Sequence, residues 1–326
     1  MVKTIVRVVL TTLLIAWVAS KVDFQQVGAL IRTAHVGWLV LGFFVHLIGM
    51  GCAALRWQML LRGMGIRQSF LRLARLILVG SFFNMFLPSS IGGDITKMVM
   101  LSSDPAQREI AVSSVLMDRV VGMAVVIIVG LGAALALPVV RTDPRVMTAL
   151  LIICAVFAAV MAMLFNRRLL ALLSRLLPGG VRARLSAPAS RIYDALAMLR
   201  RHPGALLGSV GASLLLQITV CCSVYMAGHA FGIETEPLAY FALVPIGLAI
   251  TALPISINGL GVQDNAFVLL FAIVGVTAAP ALSLSLYVHL MRNSFGLIGG
   301  ALFALSNGRS ARQPSIAPEP IKGTRS

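Results

Sequence analysis

One short pattern occurs twice in this chain. Leu87-Pro88-Ser89-Ser90-Ile91-Gly92-Gly93 and Leu253-Pro254-Ile255-Ser256-Ile257-Asn258-Gly259 share the form Leu-Pro-x-Ser-Ile-x-Gly, and an aspartate follows each, Asp94 in the first and Asp264 in the second. Proline removes a helical hydrogen bond and glycine frees the backbone, so each segment is expected to unwind and restart as a short helix. A restarted helix exposes its first amides, and the positive end of its dipole favours an anion. Ser89, Ser90, Gly92 and Gly93 in one break, with Ser256, Asn258, Gly259 and Gly261 in the other, are therefore candidates to cradle a phosphate. The plainer alternative is a pair of packing kinks whose small residues let helices approach.

Charged residues inside apolar segments are costly and tend to face a pathway or a partner. Asp94 and Asp264 each either cap the restarted helix or serve the site, and a cap suffices for either taken alone. Lys97, three residues after Asp94, is also its helical neighbour. Arg292 has no acid within a helical turn, which leaves Asp264, Asp94 or a lipid phosphate as its partner. Asp118 and Arg119 are adjacent and so point to different faces, with anchoring at the membrane interface as the competing role of Arg119. His46 and His289 have no carboxylate close in sequence and read as satisfied core histidines. Gly204-x-x-x-Gly208 and Gly296-x-x-x-Gly300 fit close helix packing, a weak signal.

The four cysteines show no CxxC or Cys/His spacing, so neither a disulfide framework nor a metal site is indicated. Nucleophile, phosphate-loop and zinc-hydrolase motifs do not occur, which speaks against an enzyme, an ATP-driven pump and any cofactor.

The elements that must position these residues are membrane helices. Of 326 residues 59% are hydrophobic and 12% charged, with a mean hydropathy of +0.94, against about 25% charged in ordinary soluble domains. A water-soluble enzyme is excluded. The net charge of +16 points to cytoplasmic loops and anionic lipid rather than nucleic acid.

If both broken segments are re-entrant hairpins, near 76–100 and 238–277, six full spans remain, near 5–20, 37–55, 119–137, 146–165, 205–228 and 280–305. Six crossings put both termini on one side, and 21 of the 27 basic residues then fall on that cytoplasmic face, among them the eight arginines between Arg167 and Arg201. The first hairpin then enters from the cytoplasm and the second from outside. The expected fold is an all-α polytopic helix bundle with two re-entrant broken-helix hairpins in inverted repeat, over residues 1–305.

Outside that bundle, residues 166–204 form a basic amphipathic loop, suited either to anionic headgroups on the inner surface or simply to setting topology. The tail at 306–326 has no apolar period and reads as disordered. The first apolar stretch, Val8–Ser20, is short enough to compete as a removable signal peptide, although a polytopic chain needs none.

Three segments together resemble a known family: Phe83-Asn84-Met85-Phe86-Leu87-Pro88-Ser89-Ser90-Ile91-Gly92-Gly93-Asp94, Asp118-Arg119-Val120-Val121-Gly122, and Leu253 to Gly261. The chain is similar, over roughly residues 5–305, to the lysylphosphatidylglycerol synthase transmembrane-region proteins, also described as flippase-like. The resemblance implies a multi-pass protein of the bacterial inner membrane, with Asn84 joining the candidate site. Its relatives move a modified phospholipid between leaflets or accompany glycolipid, polyprenyl-lipid or hopanoid pathways.

Relatives often carry Arg at the position of Lys97, Glu at those of Asp118 and Asp264, and a basic residue at that of Gln263. Aminoacyl-transferring members add a soluble catalytic domain for which the tail has no room, so aminoacylation by this chain alone is not expected. The leading expectation is a lipid translocase with an oligomer open to it. The alternatives are a scaffold for a cytoplasmic lipid-modifying enzyme, and an integral transferase with Asp94 or Asp264 as base.

Overall fold

The computed structural model describes residues 2–86, 92–101, 105–142, 179–251 and 258–306, with Ser256 and isolated positions between 147 and 162. Among the described residues every regular element is a helix: α1 Val2–Lys21, α2 Phe24–Thr33, α3 Val36–Gly63, α4 Phe70–Phe86, α5 Gly92–Leu101, α6 Pro105–Ala136, α7 Pro138–Thr142, α8 Gly179–Arg200, α9 Pro203–Ala230, α10 Pro237–Thr251, α11 Val262–Ala272 and α12 Ala278–Ser306. Four of them, α3, α6, α9 and α12, contain stretches of 28 or 29 residues long and apolar enough to cross a membrane. The protein is a polytopic helical membrane protein. The span expected near 146–165 lies mostly outside the described residues, as do much of the amphipathic loop and the tail from 307.

Local sequence sets the helix ends. Asp23 starts α2 by accepting from the amides of Gln25 at 2.8 Å and Gln26 at 3.3 Å. Proline occupies the first turn of α9, where a missing N–H costs nothing. Gly65 and Gly232, both at positive φ, turn the chain just after α3 and α9.

The described helices fall into two units of the same design: a long helix, a broken hairpin, a long helix. The first is α3, α4–α5, α6; the second is α9, α10–α11, α12. Their contacts cross over, because α3 packs on α9, α4 on α12, and α10 on α6. The equivalent helices α3 and α9 run antiparallel: Gly42 meets Ser223, Gly49 meets Thr219 and Gly63 meets Ala205. Helices that correspond but point in opposite directions are what an inverted repeat requires.

Each hairpin doubles back on itself. In the first, Asn84 meets Gly93 at the break while the Arg72 guanidinium reaches the Leu101 carbonyl at 3.4 Å, far from it. In the second, Gly247 lies against Phe267, and Tyr240 stacks edge-on with Phe271.

Among the described residues three apolar cores hold the bundle. The largest joins α9, α10, α11 and α12 around Tyr240, Phe267 and Phe271. A second packs Trp57 and Leu61 of α3 against Leu73 and Leu76 of α4 and Val115 of α6. A third seats Ala195, Leu196 and Leu199 of α8 on Leu60 and Met117. Outward-facing Leu71, Leu207 and Leu297 are more than 60% exposed, as expected where hydrocarbon is the solvent. Gly296 and Gly300 permit close approach of α4, facing Met85 and Phe82, and Gly208 lies against Met59; Gly204 has nothing near it.

Candidate functional site

At the first break, α5 restarts at Gly92 and carries Asp94 and Lys97 on its first two turns. The Gly93 amide donates to the Asn84 side-chain oxygen at 2.7 Å, tying the restarted helix to the limb that precedes it. Gly93 also faces the Gly80 carbonyl so closely that no side chain fits there. The Asp94 carboxylate is buried and accepts from the Arg119 Nε of α6 and from Lys97 Nζ at 3.3 Å. Asp94 therefore serves an ion-pair network.

The network extends. Arg56 of α3 donates twice to Asp118, at 2.6 and 3.0 Å, in a bidentate pair with both side chains close to nine-tenths buried. Gly122 makes room for it, since a Cβ there would sit 2.7 Å from a guanidinium nitrogen. Lys97 lies 5.8 Å over the Trp57 ring, whose indole N–H donates to Ser114 Oγ at 3.1 Å. Adjacent Asp118 and Arg119 point to different partners, as helical geometry dictates. Ser89 and Ser90 lie outside the described residues.

At the second break, Asn258, Gly259 and Gly261 all have positive φ, a left-handed path that glycine adopts freely and asparagine tolerates. The path ends at α11. There Asp264 reaches back to accept from the Gly261 amide at 2.9 Å, the capping role expected of it. Its other oxygen accepts from Ser285 Oγ at 2.6 Å and from His289 Nε2 at 3.1 Å, both on α12. Gln263, wholly buried, donates to the Ser285 carbonyl and hydroxyl and accepts weakly from Arg292 at 3.4 Å. Asn265 donates to the Leu14 carbonyl, linking α1 to α11.

Arg292 is the unmatched member. One of its terminal nitrogens meets His289 Nδ1, and its Nε is buried without a hydrogen-bond partner. Neither Asp264 nor Asp94, the acids considered for it from sequence, pairs with it directly. Asp264 is reached only through His289, and Asp94 is taken by Arg119 and Lys97. The buried hydroxyl of Ser256 also lacks a partner. A Cβ on Gly259 would lie 3.7 Å from the guanidinium, so bare backbone approaches the cation there. Arg292 sits one turn before Gly296, the residue that receives Met85 next to the first break. The last long helix thus brings the approaches of both breaks together.

Residues 4–300 match the lysylphosphatidylglycerol synthase transmembrane region. The chain belongs to that family. It is also similar to a UPF0104 membrane protein of Methanothermobacter thermautotrophicus, 23% identical over 263 residues that cover 74% of this chain and 75% of the relative. Membership of the lysylphosphatidylglycerol synthase transmembrane-region family accounts for nearly all the chain in which the two breaks are embedded.

From sequence, Arg56 is one of the 21 basic residues of the cytoplasmic face and His289 reads as a satisfied core histidine. Arg56 binds Asp118, and His289 is buried and satisfied at both ring nitrogens, by Asp264 and Arg292. The only sequence signal for His289 was its spacing, three residues before Arg292 on one helical face. His46 stacks on Phe295 with its Nδ1 buried and unpartnered. Among the described residues no group of His, Cys, Asp and Glu could hold a metal.

Proposed function

We propose that this protein is an integral-membrane lipid translocase that carries a phosphate-bearing headgroup between leaflets without modifying it. The carrying observation is Arg292: a half-buried guanidinium with no carboxylate on it among the described residues and a buried, orphaned Nε, beside a glycine-built break. Moving an unpaired charge into hydrocarbon costs up to tens of kcal/mol in the Born limit, so a headgroup must find donors that replace water. Arg292, Ser256 and the backbone at 258–261 supply them in one half, and the Asn84–Gly93–Asp94 corner with Arg119 and Lys97 frames the other. The family's name ties related regions to a phospholipid, whose phosphodiester is the chemistry that fits Arg292; polyprenyl and hopanoid-type lipids remain within the class.

In this reading the two hairpins enter from opposite leaflets of a bacterial inner membrane, with both termini cytoplasmic. A cysteine at Glu234 is then labelled by an impermeant thiol reagent from outside, and one at Arg184 is not.

The test of transport is reconstitution in vesicles containing headgroup-labelled phosphatidylglycerol and an impermeant quencher. Wild-type protein should expose inner-leaflet label faster than empty vesicles, and Arg292→Gln should remove the acceleration. No acceleration for any of several anionic and cationic lipids would overturn the reading. That result would favour a scaffold for a lipid-modifying enzyme, for which the cavity of about 720 Å³ between α6 and α8, lined by Glu109, Arg191, Asp194 and Arg201, offers a foothold.

A further inference from the structure

The contacts of His289 fix its protonation pattern. A carboxylate only accepts, and Ser285 and the Gly261 amide already donate to Asp264, so His289 Nε2 carries a proton and donates to it. A guanidinium only donates, so the Nδ1 facing Arg292 is a bare lone pair. The ring is neutral, and Arg292 occupies the one position at which it can take up a second proton. A proton on Nδ1 and an Arg292 N–H at Nδ1 exclude one another.

The charge in this buried corner is balanced only while no ligand is present, with Asp264 negative, Arg292 positive and His289 neutral. Among the described residues, the other titratable groups facing α12 have contacts of their own or are exposed. Arg72 and Arg75 of α4 reach the Leu101 and Leu302 carbonyls, Tyr287 pairs with Ser223, Tyr225 and His229 of α9 pack with Tyr240 and Trp38, Cys221 of α9 accepts from Gln217, His46 of α3 stacks on Phe295, and Arg32 of α2 is exposed. An arriving phosphodiester therefore adds an uncompensated negative charge, which a low-dielectric site resists.

We propose that Arg292 and His289 couple the arrival of an anionic headgroup to the uptake of one proton. The inference rests on the translocase reading above. Arg292 leaves Nδ1 for a phosphate oxygen, and a solvent proton binds the freed lone pair, forming one N–H bond. The imidazolium then pairs with Asp264 through the contact already present at 3.1 Å. One anion and one proton enter together, and the corner stays neutral. By linkage, anion affinity rises as pH falls.

The test is titration calorimetry of the full chain in detergent, with dihexanoyl phosphatidylglycerol in one arm and dimethyl phosphate in the other. Both ligands are diester anions that do not titrate near neutrality. Repeating each arm in buffers of different ionisation enthalpy counts protons. Wild-type protein should take up close to one proton per ligand in the upper part of the pH range, with affinity falling up to about tenfold per pH unit there. Uptake in both arms assigns recognition to the diester itself, and uptake in the lipid arm alone assigns it to the whole headgroup; either supports the coupling.

His289→Gln is the discriminating variant, because the amide can still donate to Asp264 and accept from Arg292 but holds no proton. It should bind with no proton uptake and a flat pH profile. Binding by wild type without proton uptake and with pH-independent affinity overturns the coupling and leaves the translocase reading standing. No binding of either ligand by wild type overturns both. The wild-type pH profile alone decides the matter should the variant fail to fold.

Discussion

The two breaks share a sequence pattern and differ in how their aspartates are neutralised. Asp94 is met by two cations, Arg119 and Lys97, beside a second buried pair of Arg56 with Asp118. Asp264 is met by dipoles: a serine hydroxyl, a backbone amide and a neutral histidine. The first corner spends its cations on its own acids and so fastens α3, α5 and α6 together. The second leaves its one arginine in contact with no acid, Asp264 being linked to it through His289. On the proposed translocase reading, the first corner acts as a latch and the second as the receptor for the headgroup.

The contrast is most exposed to Arg292→Gln. A hydrogen bond to a charged group contributes about 1.5–3 kcal/mol, so loss of this guanidinium should cut anion affinity at least about tenfold. Melting temperature should fall less than the affinity does, because Asp264 keeps its direct hydrogen bonds from Gly261, Ser285 and His289. A large loss of stability with unchanged anion affinity would make the second corner structural too.

Asp118→Asn should do the reverse. It strands Arg56 in a pocket only 12% exposed, and breaking such a pair costs about 3 kcal/mol. Melting should fall by several degrees, and the double variant Arg56→Gln with Asp118→Asn should recover part of it. If the single variant melts like wild type, the latch description fails.

Gly261→Ala probes the backbone of the second break. Its φ of +75° and a Cβ position 2.8 Å from the Leu14 Cβ combine strain with collision, at about 1–3 kcal/mol for the strain alone. Gly275→Ala has a similar φ of +82° but open space around it. It should therefore destabilise less in the same thermal assay, and equal losses would mean that α1 does not press on the break.

The smallest effect is expected from Trp57→Phe. It keeps the ring under Lys97 but removes the indole donor to buried Ser114, at about 1 kcal/mol. A neutral result would remove Trp57 from the latch.

Much of this was legible in the sequence because it is local. Proline and glycine at the breaks act on their own backbone, the cap by Asp264 spans three residues, and the ion pair of Lys97 with Asp94 is one helical turn. Arg56 with Asp118 and His289 with Asp264 join residues 62 and 25 apart. Nothing in either segment distinguishes a buried partner from an interfacial charge.

Composition and hydropathy by themselves made this a membrane helix bundle, since the bilayer demands backbone self-satisfaction and long apolar runs whatever their arrangement. The repeated Leu-Pro-x-Ser-Ile-x-Gly likewise determined where the helices break. Only packing within each unit decided which charges cancel: α3 and α5 lie on α6 in the first, and α11 lies on α12 in the second. Pairing depends on distances of a few ångströms between helices far apart in the chain, and those are set by packing. The pattern that produced two similar breaks therefore left Arg292, the arginine at the second break, with no acid in direct contact among the described residues.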